Sequence, residues 1–230
     1  MQARIELPVV VDTADAPGSR RSGLIDRSRY RALCHACRRP RVSCYCALVE
    51  PFHSVPRFVI LTQPREAKHR LGTGRMAHRC LANSLLFEGV DFSADHRVDH
   101  EINSPFNFPV LLYPSRDAVN LSRYTSAQRL TLAPAGRNLL VFVLDGTWKS
   151  ARKMIRLSRN LASLPKICFE PTAPSSYRIR RQPKPHCYST IEAIHYVIQL
   201  FAPCGSERRS HDNLLTVFHS VIEQQLTYSP

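Results

Sequence analysis

Short apolar runs alternate with stretches of helical period from residue 57 onward. Four of the runs are continuous enough to be strands buried on both faces of a mostly parallel sheet. Helical periodicity between them predicts a helix over residues 74–86 and another over residues 150–161, the second with Ala151, Met154, Ile155 and Leu161 on one face. This alternation is typical of an α/β domain with helices on both faces of the sheet. The four predicted strands are residues 57–62, 110–113, 139–144 and 166–169.

The C-terminal part of the chain predicts two more helices. Ser189 and Glu192 have the spacing of a capping box, in which the serine is the N-cap and the glutamate occupies the third helical position. A last helix over residues 213–227 should pack its apolar stripe against the core. The apolar positions are Ile191, Ile194, Ile198 and Phe201 in the first helix, and Leu214, Phe218, Val221, Ile222 and Leu226 in the second.

Length and composition limit the organisation of the chain. With 230 residues, 43% of them hydrophobic, the chain can form one well-buried domain and a small appendage. Residues 1–29 show no sustained periodicity and predict a flexible lead-in, residues 30–54 contain a cysteine cluster, and residues 55–230 form the main domain. No apolar stretch approaches the roughly 18 residues of a membrane span, and residues 9–11 are too short for the core of a signal peptide. The expected location is therefore the cytoplasm.

The chain carries a large surplus of positive charge. Its 32 Lys and Arg residues against 18 Asp and Glu give a formal net charge of +14, which attracts polyanions. The basic residues are concentrated in residues 20–41, 65–79, 149–159 and 178–184. This clustering favours nucleic acid as the partner over the alternative, a basic surface with no dedicated ligand.

Four of the eight cysteines lie close together, in a CxxC pair followed after six residues by a CxC pair. Zn²⁺ binds four thiolates tetrahedrally, and the short spacings allow the backbone to present paired sulfurs to one ion. A closed ligand shell leaves no position for an activated water, so the zinc is predicted to be structural. Free or redox-active thiols are the alternative, with His35 and His53 as possible substitute ligands. The predicted ligands are Cys34, Cys37, Cys44 and Cys46.

Arginines surround the cysteine cluster. They would give the zinc module a basic face suited to phosphates. In the alternative interpretation the module simply covers an edge of the sheet. The arginines are Arg31, Arg38, Arg39 and Arg41.

One predicted strand runs directly into a polar turn and a helix. Asp145 follows residues 139–144 and therefore lies at the carboxyl end of a strand, where open α/β sheets bind ligands. Gly146 permits close backbone approach, Thr147 can cap the helix, and Trp148 offers a stacking surface. In the structural alternative, Asp145 is a turn residue and Trp148 a core residue.

Two other segments could contribute to a ligand site. Thr73 and Gly74 precede a helix and could present backbone N–H groups to an anion, although an ordinary helix start explains them equally well. Residues 177–192 join a basic half, suited to an RNA backbone, to Ser189, Thr190 and Glu192 at a helix N-terminus. The capping box explains Ser189 and Glu192 without any ligand.

Taken in order, these segments resemble the DTW-domain family, which is named for an Asp-Thr-Trp signature that appears here as Asp145, Thr147 and Trp148. The chain departs from the family at Gln63, where a histidine is expected, and Gln63 could not supply a proton-transfer role of that histidine. The resemblance covers most of the chain and includes the cysteine cluster, Pro64 and Glu66 with Thr73, Gly74 and Arg75 beyond them, residues 112–115, Ala151 and Arg152, and Arg181 followed by Ser189, Thr190, Glu192 and Ala193.

The resemblance implies a tRNA-uridine aminocarboxypropyltransferase. Such an enzyme transfers the 3-amino-3-carboxypropyl group of S-adenosylmethionine to N3 of a tRNA uridine, here in the variable loop, and releases 5′-methylthioadenosine. The implied fold is α/β and SPOUT-like, with a C-terminal trefoil knot. The expected partner is tRNA, with no membrane and no obligatory protein partner. Two other interpretations are an S-adenosylmethionine-dependent RNA methyltransferase and a non-catalytic, zinc-containing RNA-binding protein.

The predicted site residues follow from their positions at strand ends and from the resemblance. Asp145 is the candidate group that accepts the N3 proton or orients the uracil. The predicted cofactor-binding residues are Thr73, Gly74, Pro114, Ser115, Gly146, Thr147, Trp148, Ser189, Thr190 and Glu192. The predicted RNA-binding residues are Arg75, Lys149, Arg152, Lys153, Arg178, Arg180 and Arg181.

Overall fold

The structure, a computed structural model, describes residues 32–179, 187–202 and 210–228, so the predicted lead-in lies outside the described residues. Within these ranges the strands are β1 (Arg57–Thr62), β2 (Leu85–Glu88), β3 (Asn107–Leu112), β4 (Val119–Asn120), β5 (Asn138–Asp145) and β6 (Lys166–Cys168). They form one sheet in the order β2-β1-β5-β3-β6-β4, and every neighbouring pair is parallel. The predicted α/β class and parallel sheet are confirmed.

Both faces of the sheet are covered. Alternate side chains of β1 enter two different apolar clusters, Phe58 and Ile60 in one and Val59 and Leu61 in the other, and all four are fully buried. The sequence of β1 is a continuous apolar run because neither face of the strand is exposed to water.

Helices form the layers on either side. Those whose residues join the first cluster are α2 (Thr73–Cys80), α7 (Thr190–Phe201) and α8 (Asp212–Tyr228), and those that join the second are α3 (His96–Asn103), α5 (Trp148–Leu157) and α6 (Arg159–Ala162). Two short helices, α1 (Pro64–Ala67) and α4 (Ser126–Leu130), lie in connections. The predicted C-terminal helices are confirmed, and the Glu192 carboxylate accepts the backbone N–H of Ser189 at 2.8 Å, as a capping box requires.

The prediction of a helix over residues 74–86 is wrong in its second half. The observed helix α2 ends at Cys80, and Leu85 begins β2. Beyond Cys80 the chain pairs with Phe52: the backbone N–H of Phe52 donates to the Cys80 carbonyl at 2.9 Å, and that of Ala82 donates to the Phe52 carbonyl at 2.8 Å. Tertiary pairing therefore overrides the local helical pattern.

The helix predicted over residues 150–161 is divided in two. Ser158 adopts φ −92 and ψ 91, which ends α5 before α6 begins. The hydroxyl of Ser158 is buried and accepts the backbone N–H of Phe92 at 2.9 Å, so a distant loop holds the break in place.

The strand predicted at residues 110–113 begins earlier, at Asn107. It includes Pro109, which lies opposite Leu140 of β5.

Among the described helices, none combines the length and the apolar character needed to cross a membrane.

Candidate active site

The site lies where three neighbouring strands end. Strand register places Thr62 of β1 beside Asp145 of β5, and Leu112 of β3 beside Val143. A cavity of about 490 Å³, here called the aromatic cavity, opens at this carboxyl edge. Its volume is within the roughly 300–1,000 Å³ range of cavities that enclose small molecules. Its walls come from Glu66, Thr73, residues 112–114 and 143–148, Ala151, Cys168, Phe169, Pro171, Tyr177, residues 187–190 and Ala193.

Five aromatic rings line this cavity. The ring centroids of Tyr113 and Trp148 lie 6.3 Å apart, and those of Phe169 and Tyr188 lie 5.8 Å apart. Trp148 is 39% exposed, so it forms part of the cavity rim and is not a core residue. Rings in this arrangement can stack against a planar heterocycle such as a purine. The five are Tyr113, Trp148, Phe169, Tyr177 and Tyr188.

Asp145 is a buried carboxylate on the cavity wall, with only 1% of its surface exposed. Its Oδ1 accepts the Thr190 hydroxyl at 2.7 Å and the backbone N–H of Gly74 at 3.2 Å. Its Oδ2 is buried and has no hydrogen-bond partner within the described residues. The protein therefore orients the carboxylate through Oδ1, while Oδ2 is a buried acceptor without a hydrogen-bond partner in these residues.

The surroundings of Asp145 make it more basic than an ordinary aspartate. Burial raises its pKa from 3.8 to about 6, and the charge of Glu66 adds to the increase, while the hydrogen bond from Thr190 opposes it. Glu66 is itself 7% exposed and lines the same wall. A carboxylate with a pKa near 6 is ionised at neutral pH and accepts a proton more readily than one in water.

A glycine makes room for this carboxylate. A Cβ added at Gly74 would lie 2.5 Å from both Cγ and Oδ2 of Asp145, which is far inside van der Waals contact. Gly74 is therefore required by close approach, and the sequence alone could not distinguish this from an ordinary helix start.

Gly74→Ala is expected to destabilise the protein by about 1–3 kcal/mol and to reduce activity, because the methyl group must displace Asp145. Inside a helix, alanine is normally favoured over glycine by about 1 kcal/mol, so a net loss can come only from the clash. Urea unfolding measures the effect. Gly72→Ala is the matched control, since its nearest contact is 3.3 Å. Equal stability of the two variants would contradict the close packing at Gly74.

The structure brings most of the predicted cofactor-binding residues together. Thr147 is the N-cap of α5, and its hydroxyl accepts the backbone N–H of Ser150 at 3.1 Å. Gly74, Ser115 and Glu192 are not part of the cavity wall. Those that line the aromatic cavity are Thr73, Pro114, Gly146, Thr147, Trp148, Ser189 and Thr190.

Glu192 lies behind the wall and connects two segments. Its carboxylate accepts the backbone N–H groups of Ser176 and Ser189 at 2.7 and 2.8 Å and the hydroxyl of Ser175 at 2.8 Å. It thereby holds the chain after Pro171 against the start of α7. Direct contact between Glu192 and a ligand stays a prediction.

The four clustered cysteines are arranged as one metal site. The sulfurs of Cys34 and Cys46 lie 3.8 Å apart, those of Cys37 and Cys44 lie 3.7 Å apart, and all four lie within 4.8 Å of one another. Four sulfurs at about 2.3 Å from a tetrahedral Zn²⁺ are about 3.8 Å from each other. The cluster could therefore hold a metal such as zinc. Neither His35 nor His53 belongs to this set in the described part of the chain.

The thiols differ in acidity before metal binds. Backbone N–H groups of Cys37 and Ala36 lower the pKa of Cys34 to about 6, whereas burial, with further contributions from Cys44 and Cys34, raises the pKa of Cys46 to about 12. Because zinc binds thiolates, metal binding must release protons, and its affinity falls as the pH falls.

The prediction that Arg39 contributes to an exposed basic face is wrong. It is only 3% exposed, and its positive charge lies near Cys37 and Cys44. A zinc ion with four thiolates carries a net charge of minus two, which explains why a guanidinium is kept beside it. Arg38 and Arg41 are exposed as predicted, and Arg31 lies outside the described residues.

The predicted RNA-binding residues that the structure describes are either half-buried or exposed. Arg75 is half-buried, and its guanidinium donates to the backbone carbonyls of Cys37, at 3.3 Å, and of Ala67. It therefore fastens the cysteine cluster to α1. The exposed residues are Lys149, Arg152 and Lys153 on α5 and Arg178. Arg180 and Arg181 lie outside the described residues.

Several wall residues were missed at the level of the sequence. The sequence indicates only a turn at Glu66 and predicts no role in the site for Phe169, Tyr177 or Tyr188. Phe169 belongs to a run predicted as a strand, yet it follows the last residue of β6 and lines the cavity. Its position at the carboxyl end of a strand, like that of Asp145, was the available signal.

Comparisons with known proteins agree on one family. The DTW domain matches residues 31–226 of the chain. The chain is 32% identical to tRNA-uridine aminocarboxypropyltransferase 2 of Drosophila melanogaster over 207 residues, which are 87% of this chain and 78% of that protein. It is 25% identical to tRNA-uridine aminocarboxypropyltransferase A of Arabidopsis thaliana over 228 residues, with 88% and 84% covered. Identity to tRNA-uridine aminocarboxypropyltransferase 2 of Mus musculus is 28% over 173 residues, with 73% and 56% covered. No solved structure gives a significant match.

Proposed function

Because the chain belongs to the DTW domain family, we propose that it is a tRNA-uridine aminocarboxypropyltransferase. It transfers the 3-amino-3-carboxypropyl group of S-adenosylmethionine to N3 of a uridine in the tRNA variable loop and releases 5′-methylthioadenosine. The single observation that carries this proposal is the buried Asp145 carboxylate, with Oδ2 unpaired, on the wall of an aromatic cavity.

The aromatic cavity is the binding site for the donor substrate. Tyr113 and Trp148 offer rings for the adenine, and the backbone around Gly146 and Thr147 and the start of α7 at Thr190 offer polar groups for the amino-acid part. Thr73, Pro114 and Ser189 complete this wall. Gly74 and Glu192 act by positioning Asp145 and the start of α7, and the role of Ser115 follows from the family resemblance alone.

In the reaction, N3 of the uracil forms a bond to the γ-carbon of the methionine moiety as the bond between that carbon and sulfur breaks. The sulfonium becomes a neutral thioether, and the N3 proton must be removed. Asp145 accepts this proton through Oδ2, while Thr190 and Gly74 hold Oδ1. Fixing the carboxylate in this way supplies orientation before the substrates meet.

The remaining parts have supporting roles. The four cysteines hold a structural zinc ion in a module over residues 30–54, and residues 55–230 form the catalytic domain. The exposed Lys149, Arg152, Lys153 and Arg178 contribute to binding of tRNA, the partner of this cytoplasmic enzyme, by contacting phosphates. The parallel sheet and the return of α7 to the end of β5 are compatible with a SPOUT-like domain, and we include its trefoil knot in the proposal.

Purified protein incubated with bulk tRNA and S-adenosylmethionine labelled in the 3-amino-3-carboxypropyl group is expected to label tRNA and to release 5′-methylthioadenosine in equal amounts. Mass spectrometry of nucleosides should show the aminocarboxypropyl group on uridine. Release of S-adenosylhomocysteine would instead identify a methyltransferase. If tRNA binds in a salt-dependent manner while the donor is neither bound nor consumed, the protein is not an enzyme of this class.

A further inference from the structure

A second cavity of about 480 Å³ also has Asp145 in its wall. Part of its wall is formed by the cysteine cluster, through His35, Ala36 and Arg38, and part by α1, α2 and β2. Arginine and histidine side chains outnumber the carboxyl groups of Glu66, Glu88 and Asp145 there, so it is called the basic cavity here. Its basic residues are His35, Arg38, Arg75, His78 and Arg79.

The two cavities meet at a shared pair of carboxyl side chains. Asp145 and Glu66 line both, whereas the five aromatic rings line only the first cavity and the arginines only the second. A molecule in the aromatic cavity and one in the basic cavity would therefore have the same two carboxyl side chains in their walls. A two-substrate transfer requires such a shared region, because the nucleophile of one substrate must reach the transferred carbon of the other.

The arginines of the basic cavity are not equivalent. Arg75 is committed to the backbone carbonyls of Cys37 and Ala67. Arg38 is exposed and Arg79 is half-buried, and within the described residues neither side chain forms a hydrogen bond or an ion pair. The Nε of Arg79 is buried without a hydrogen-bond partner in the same ranges. Two guanidinium groups thus remain to bind an anion.

We propose that the basic cavity receives the acceptor nucleotide, with Arg38 and Arg79 binding an RNA phosphate beside it and the uracil edge directed at Asp145. This rests on the proposed function and adds to it a separate acceptor site. A base that reacts at N3 must leave its pairing partners and enter a pocket. The volume of the basic cavity suits one such nucleotide.

The proposal gives the cysteine cluster a part in acceptor binding. Since Ala36 and Arg38 lie between ligands Cys34 and Cys44, the metal sets the position of this wall. The wall is connected to the catalytic domain through Arg75, whose guanidinium donates to the Cys37 carbonyl. Arg75 is therefore a positioning residue for the acceptor cavity.

Steady-state kinetics with bulk tRNA separate the two cavities. Arg38→Ala and Arg79→Ala are each expected to raise the KM for tRNA about 10-fold, and the KM for S-adenosylmethionine by less than about twofold, as loss of a charge-assisted phosphate contact predicts. Trp148→Ala should show the reverse pattern. Arg137→Ala is the matched control, because Arg137 is an exposed arginine just before β5 that lines neither cavity. An equal loss in Arg137→Ala would reduce the effect to diffuse charge and overturn the proposal.

Photochemical cross-linking supplies a readout that needs no turnover. Wild-type protein irradiated with tRNA containing 4-thiouridine is expected to form adducts within residues 35–38 or 78–88. Adducts at Tyr113, Trp148 or Tyr188 would place the uridine in the aromatic cavity and overturn the proposal. Wild-type protein that never consumes the donor contradicts the proposed function, whereas active wild type with an unchanged KM for tRNA in Arg38→Ala and Arg79→Ala contradicts the acceptor cavity alone.

Discussion

The Asp145→Asn protein is expected to bind tRNA as the wild type does and to transfer the aminocarboxypropyl group about 10²- to 10⁴-fold more slowly, the usual contribution of a general base. Asparagine retains an oxygen for Thr190 and Gly74, so the geometry of Oδ1 is kept while the proton acceptor is lost. Single-turnover rates with saturating tRNA measure the change. A variant with wild-type rates would exclude proton acceptance by Asp145.

The same substitution should stabilise the fold at alkaline pH. The pKa of Asp145 is raised from 3.8 to about 6 by burial, so the folded protein holds a proton that the unfolded chain releases. Stability therefore falls as pH rises between these two values, and the full cost remains above pH 6. Asp145→Asn removes a cost on the order of 3 kcal/mol at pH 8 and little at pH 4. Urea unfolding at both pH values tests this difference.

Glu66→Gln is the control variant for Asp145→Asn, because it changes the charge near Asp145 and retains Asp145 as the proton acceptor. Because the charge of Glu66 contributes to the raised pKa of Asp145, the acid limb of kcat/KM is expected near pH 6 in the wild type and should shift to lower pH when this charge is removed. Activity should persist in this variant. An acid limb that does not move would show that another group controls it.

The sequence predicted the parts of the fold whose residues are buried on both faces. β1 and β5 are continuous apolar runs because helices cover them on each side, and this pattern alone locates Asp145 at a strand end. β2 could not be found in this way, because its residues are only partly buried and follow a helix that ends through pairing of residues 80–82 with Phe52.

The site was predictable in its centre and not in its walls. Asp145, Thr147 and Trp148 are neighbours in sequence, so their position follows from one strand and one helix. Tyr177, Tyr188 and Glu66 reach the same place from separate segments, and local periodicity contains no information about such convergence. The basic cavity depends on where the cysteine cluster packs, which is set by contacts such as that between Arg75 and Cys37.

That packing makes the metal important beyond its own segment. Cys37 is fully buried and Tyr45 is 1% exposed, and both belong to the apolar cluster that contains Phe218 of α8. The Asn213 side chain also donates to the Leu48 carbonyl at 2.8 Å. Loss of the metal should therefore loosen contacts with the C-terminal helix and leave Arg39 buried without the charge of a metal-thiolate cluster.

Cys44→Ser is expected to abolish stoichiometric zinc binding and to lower the free energy of unfolding by about 3–5 kcal/mol, because three thiolates leave the ligand shell open and the packed segment loses its constraint. Metal analysis and urea unfolding at pH 7.5 measure the two effects. Cys168→Ser is the matched control, since Cys168 is partly buried and lies outside the cluster, and it should keep its zinc. If the Cys44→Ser protein retains one tightly bound zinc ion and wild-type stability, Cys44 is not a ligand. If it loses both while the KM for tRNA rises more than the KM for the donor, the metal also shapes the acceptor wall formed by His35, Ala36 and Arg38.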